Sequence, residues 1–102
     1  MLSLSLEVHD EVGTVRLVGE LDHETVDDLR RVAFGALDDG ASSLVLDCAD
    51  LSFLDSSGLN VFIELYRAAE SAAGSITIRK PSPFVVQLID TTKLDTVLTI
   101  EP

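Results

Sequence analysis

Between residues 44 and 66 the apolar rhythm of the chain changes, and that change restricts the possible folds more than any other feature. Leu44-Val45-Leu46 is a continuous apolar run of the kind found in a buried strand. Leu59, Phe62, Ile63 and Tyr66 then recur at i, i+3, i+4 and i+7, which is one face of an amphipathic helix. Between the two lies Leu51-Ser52-Phe53-Leu54-Asp55-Ser56-Ser57-Gly58, read as a short acidic, hydroxyl-rich loop where a strand hands over to a helix. Loops at that end of a parallel sheet lie beside helix N-termini, whose free N–H groups favour an anion.

The remaining segments extend the same alternation. Met1–Val8 sets Leu2, Leu4, Leu6 and Val8 against Ser3, Ser5 and Glu7, which predicts a half-exposed edge strand, and it lacks the basic head of a signal peptide. Asp10-Glu11-Val12-Gly13 supplies a turn, with Gly13 able to take positive φ, and Thr14–Leu21 returns antiparallel to the first strand. Asp22 is the candidate N-cap of a helix with the stripe Val26, Leu29, Val32, Ala33, Ala36 and Leu37, ended by Gly40. A central strand is expected over Ser42–Cys48, a second helix from Ser57 to Ala73 closed by Gly74, and a fourth strand over Ser75–Arg79. Ser82 as N-cap with Pro83 at the first helical position starts a third helix, with Phe84, Val85, Leu88 and Ile89 inward and its end near Thr92. Asp95–Ile100 offers a short strand or an extended tail. Two β-α-β units imply an α/β fold: a four- to five-stranded, mostly parallel mixed sheet with an N-terminal antiparallel hairpin, packed by three or more helices. The 102 residues are read as one domain spanning 1–102.

Composition narrows the partners. Seven basic against 18 acidic residues leave a net charge of −11, which argues against nucleic acid and against an anionic membrane surface, and agrees with docking on a basic protein. No apolar run approaches the roughly 18 residues of a membrane span. The single cysteine, Cys48, permits no internal disulfide; it suits the reducing cytoplasm and is expected to be a buried, inert thiol. A serine hydrolase needs a base beside its nucleophile, yet only His9 and His23 exist and no Gly-x-Ser-x-Gly elbow occurs. There is neither a metal-ligand spacing nor a Gly-rich phosphate loop, so no catalytic residue, metal or cofactor is assigned and nucleotide is expected to belong to a partner. A phospho-aspartate receiver could use Asp55 and Lys80, but the early acidic pair it requires is absent.

Three segments resemble a known family. Gly19-Glu20-Leu21-Asp22, the stretch Asp50 to Leu59 with its Asp-Ser-Ser-Gly core, and Leu94-Asp95-Thr96-Val97-Leu98 are similar, in register along the full chain, to the STAS domain and more narrowly to bacterial anti-sigma factor antagonists. The resemblance implies a non-enzymatic regulator. Unphosphorylated, it would bind an anti-sigma factor serine kinase and so release a sigma factor; phosphorylated on Ser56, it would let go until a phosphatase resets it. Asp22, Asp55, Ser57, Gly58, Asn60 and Val61 would make up the loop and docking surface, with Glu64 beside it. Asn60 stands where many of the family carry Gly or another small residue.

Each of these residues also has a structural reading. Asp55, Ser56 and Ser57 could simply cap the second helix, with Ser57 well placed to do so. Asp22 is sufficiently explained as an N-cap, or it neighbours Ser56 and shapes the surface that the kinase reads. Gly58 serves close backbone approach, for docking or for packing. An alternative function within the resemblance is a constitutive STAS scaffold or transporter-associated module that is never phosphorylated.

Overall fold

The computed structural model describes residues 1–102. The alternating N-terminal segment is strand β1 (Leu2–His9), paired antiparallel with β2 (Val12–Leu21) from Leu2↔Gly19 to His9↔Val12. The hairpin turns through Asp10 and Glu11, both left-handed at φ 50° and 66°. That two-residue geometry matches strand twist, and it leaves Gly13 inside β2 rather than at the turn. Helix α1 (Val26–Asp38) leads to β3 (Ser43–Leu54), α2 (Ser56–Ser71) to β4 (Ile76–Arg79), and α3 (Pro83–Thr91), with one 3-10 turn (Leu94–Thr96), to β5 (Thr99–Glu101). From β2 onward the strands pair parallel, and their order across the sheet is β1-β2-β3-β4-β5.

Each crossover therefore steps one strand in the same direction, and right-handed connections then stack every helix on one face. Burial agrees. Val15, Leu46 and Ile78 share one row of the sheet and are fully buried, together with Leu29 and Ala33 of α1, Phe62 and Leu65 of α2, and Val85 of α3. The next row points to the opposite side and reads Ser5, Arg16, Asp47, Arg79, Glu101 across all five strands. Arg16 pairs with Asp50, and Arg79 Nε lies 3.2 Å from Glu101 Oε1, so this bare face is laced by ion pairs.

Several expectations are corrected. Strand β3 runs to Leu54 instead of stopping at Cys48, because pairing with β2 continues from Val18↔Asp50 to Leu21↔Leu54 after β4 has ended opposite Asp47. The register slips twice there, between Arg16 and Val18 and between Gly19 and Glu20, which removes the period of two. Helix α2 is rotated from its expected face: Gly58, Leu59, Val61, Phe62, Leu65 and Ala69 are buried, while Ile63 and Tyr66 are only partly covered. Phe84 is 51% exposed rather than inward, leaving Val85 and Ile89 as the buried residues of α3. Gly40 takes φ +115° after α1 as expected. At the end of α2 it is Ala73 that is left-handed (φ 59°); Gly74 is there for space, since a Cβ would sit 1.7 Å from the Ser42 carbonyl oxygen. Cys48 is buried as expected, and burial, with the Asp47 charge adding, pushes its thiol up to about 12.

Candidate functional site

Strands β2 and β3 end side by side, with Leu21 opposite Leu54, so Asp22 and Asp55 are the first residues beyond two neighbouring strand ends. The amide of Asp55 still donates to the Leu21 carbonyl at 3.3 Å. Asp55 is the N-cap of α2: its Oδ1 accepts from the Gly58 amide at 3.1 Å, and its carbonyl accepts from the Leu59 amide at 3.1 Å. The helix consequently starts at Ser56, one residue earlier than expected, and Ser57 is not the cap. Ser56 and Ser57 occupy the first two helical positions, where backbone amides have no partner within the helix.

Ser56 is exposed, and its hydroxyl makes no hydrogen bond to any protein group. Ser57 is partly covered. Gly58 is buried within the first turn: a Cβ there would meet Leu54 Cδ1 at 2.4 Å and the Leu21 side chain at 3.0 Å. Its missing side chain lets α2 settle on the ends of both strands, the close approach expected of this glycine. Val61 is removed from the expected docking surface, at 0% exposed, because the rotation of α2 that seats Gly58 turns Val61 toward the sheet. Asn60 is exposed on the same helix.

Asp22 does not cap α1, since Thr25 holds that position without a side-chain cap bond. Instead Asp22 fixes the turn before the helix. Its Oδ1 accepts from the Glu24 amide at 3.0 Å and lies 3.2 Å from Thr25 Oγ1, and its own amide donates to Thr25 Oγ1 at 3.0 Å. Partial desolvation would raise the Asp22 carboxyl, but the hydrogen bonds from Glu24 and Thr25 outweigh it and hold the group below the usual carboxylate range. Glu64 belongs elsewhere: both its oxygens take Arg30 of α1, at 3.1 and 2.9 Å, and Arg30 also reaches Asp27 at 2.7 Å. His23 Nε2 lies 3.9 Å from Glu24 Oε1 with three quarters of its side chain exposed, and it makes no bond to Ser56.

The site is thus an exposed, unpartnered hydroxyl at the positive end of a helix dipole, next to the engaged carboxylate of Asp55, with Asp22 beyond the neighbouring strand end. Sequence reading missed one neighbour. Phe53 and Phe84 stack with ring centroids 6.5 Å apart at 20°. Helical periodicity assigns Phe84 inward, and nothing in the sequence signals that its partner would be a strand residue three positions before Ser56.

The family model of the STAS domain matches residues 3–102. The anti-sigma F factor antagonist of Paenibacillus polymyxa is 34% identical over 100 residues, covering 97% of this chain and 86% of that protein. The solved structure of the anti-sigma factor antagonist SpoIIAA in its unphosphorylated form is 31% identical with a TM-score of 0.85, covering 98% of this chain and 89% of that one. The Bacillus cell fate determinant SpoIIAA in its phosphorylated form is 30% identical with a TM-score of 0.78, covering 98% and 92%. The chain belongs to the STAS domain family, and within it to the group of the anti-sigma factor antagonists.

Proposed function

We propose that this protein antagonises an anti-sigma factor that is also a serine kinase, and that phosphorylation of Ser56 switches it off. The kinase transfers the γ-phosphoryl group of ATP to Ser56 Oγ, leaving ADP and a phosphoserine; a phosphatase hydrolyses the ester and resets the cycle. Unphosphorylated protein holds the kinase and frees a sigma factor in the cytoplasm. The chain catalyses nothing itself and has no nucleic acid, membrane or cofactor as partner. No helix of the chain is long and apolar enough to cross a membrane.

One observation carries this reading: Asp55 performs the capping, so the exposed Ser56 hydroxyl has no structural duty. Phosphate would add about −1.5 to −2 charges and three strong acceptors at that position. The helix N-terminus favours an anion and the carboxylates of Asp22 and Asp55 oppose it, by terms each on the order of 1 kcal/mol, so the fold tolerates the group. An interface closed over a neutral hydroxyl would not, since a buried unpaired charge costs several kcal/mol. Blocked docking is therefore favoured over refolding. The relative SpoIIAA, solved in both unphosphorylated and phosphorylated forms, supports the same reading.

The test is phosphorylation of the purified chain by its cognate anti-sigma factor and ATP, read by intact mass. One phosphate is expected, lost in Ser56→Ala and kept in Ser57→Ala; the reverse pattern overturns the residue assignment. Ser56→Asp should weaken the complex and leave the thermal midpoint nearly unchanged. Unmodified protein from the native cell, recovered with transporter subunits, would instead favour a constitutive scaffold.

A further inference from the structure

Strand β4 ends opposite Asp47, so the last seven residues of β3 have β2 on one side and no strand on the other. The start of α3 lies against that open side, and Phe84 covers Phe53 there. The cover is incomplete. Phe53 remains 41% exposed and Phe84 51%, and a shallow hollow of about 260 Å³ continues from Phe84 along Gln87, Leu88 and Thr91. Single exposed apolar side chains are ordinary; here two stack on one another and open onto a hollow with Leu88 along its floor.

Its position says what covers it. Phe53 precedes Ser56 by three residues, about 10 Å of chain at about 3.3 Å per residue. A specific protein interface buries about 800 Å² on each partner, which as a disc has a radius of about 16 Å. An interface of that size centred near Ser56 has the reach to take in Phe53 and its stacked partner. The same end of the molecule carries Asp22, Glu24 and Asp55 on a chain of net charge −11, so the fitting surface offers an apolar contact to the phenylalanine pair and basic groups beside it.

We propose that the Phe53–Phe84 pair is the apolar anchor by which the anti-sigma factor kinase holds this protein. This rests on the reading of Ser56 given above and adds what that reading lacks. A neutral hydroxyl among carboxylates contributes little affinity, whereas a few well-packed side chains, aromatic ones often among them, carry most of an interface's binding energy. The anchor holds the complex together, and the phosphate on Ser56 releases it.

Affinity for the cognate anti-sigma factor, by calorimetry, and the thermal midpoint are measured for the wild type, Phe84→Ala, Phe53→Ala and Ser56→Asp. Phe84→Ala is expected to weaken binding at least tenfold with little change in midpoint, because half of the ring is already in water. If Ser56→Asp weakens the complex while both phenylalanine variants bind like the wild type, the anchor is overturned and the Ser56 reading stands. If the phenylalanine variants weaken it and Ser56→Asp does not, the anchor stands and the phosphate switch fails. Should the variants lose stability, hydrogen exchange on the wild-type complex decides. Slowed exchange of the amides from Val85 to Leu88 on binding supports the anchor, and unchanged exchange there overturns it.

Discussion

At the first turn of α2, Asp55 and Ser56 are adjacent in sequence and opposite in role. The carboxylate of Asp55 satisfies the Gly58 amide, whereas the hydroxyl of Ser56 satisfies nothing within the protein. Losing an N-cap acceptor costs about 1 kcal/mol, so Asp55→Ala should lower the thermal midpoint by about 4–8 °C in a domain of this size. Asp55→Asn, which keeps an acceptor, should recover most of that loss. Ser56→Ala removes no bond and should melt with the wild type. Calorimetry of the three variants is the check, and a Ser56→Ala loss equal to that of Asp55→Ala would make Ser56 a structural residue.

Helices α1 and α2 are tied together by Arg30, which spans Glu64 and Asp27. The hydrogen bond from Arg30, helped by its charge, holds the Glu64 carboxyl low against the partial desolvation and the nearby Asp27 that would raise it. A carboxyl lowered by folding contributes stability that is complete above its unfolded pKa and is lost as the pH falls through its folded value. The wild type should therefore exceed Glu64→Gln in stability at pH 7, with the gap closing from about pH 4 downward. Thermal melts between pH 7 and pH 3 test this, and a constant gap would show that the pair contributes no titratable stability. The elements themselves are legible because β1 alternates with a period of two, α1 repeats at 3.6, a continuous apolar run marks β3, and Ser82-Pro83 marks the start of α3. The end of β3 is not, since two register slips space its buried Leu51 and Leu54 three apart, as in a turn or helix. The face of α2 was misread by its apolar content: Ile63 and Tyr66 count as core by type, yet Gly58 and Ala69 are what approach the sheet. Ser56 itself was readable from the Asp-Ser-Ser-Gly motif, while its division of labour with Asp55 required the hydrogen bonds to be seen.

For the molecule as a whole, a net charge of −11 makes encounter with a basic partner sensitive to salt. Raising ionic strength from about 0.1 M to about 1 M shortens the screening length from about 10 Å to about 3 Å. The association rate with the anti-sigma factor should fall steeply over that range while dissociation changes little, because long-range attraction governs arrival and short-range packing governs departure. Stopped-flow mixing measures both, and a rate of arrival indifferent to salt would exclude a basic docking face. The one-directional strand order has a practical sequel. With the helices gathered on one side, the row from Ser5 to Glu101 is a panel that takes no part in the proposed switch. A reporter dye or a fused neighbour mounted through Thr77, one row along from Arg79 on the same face of β4, would travel with the protein through every round of its cycle and leave the serine end untouched.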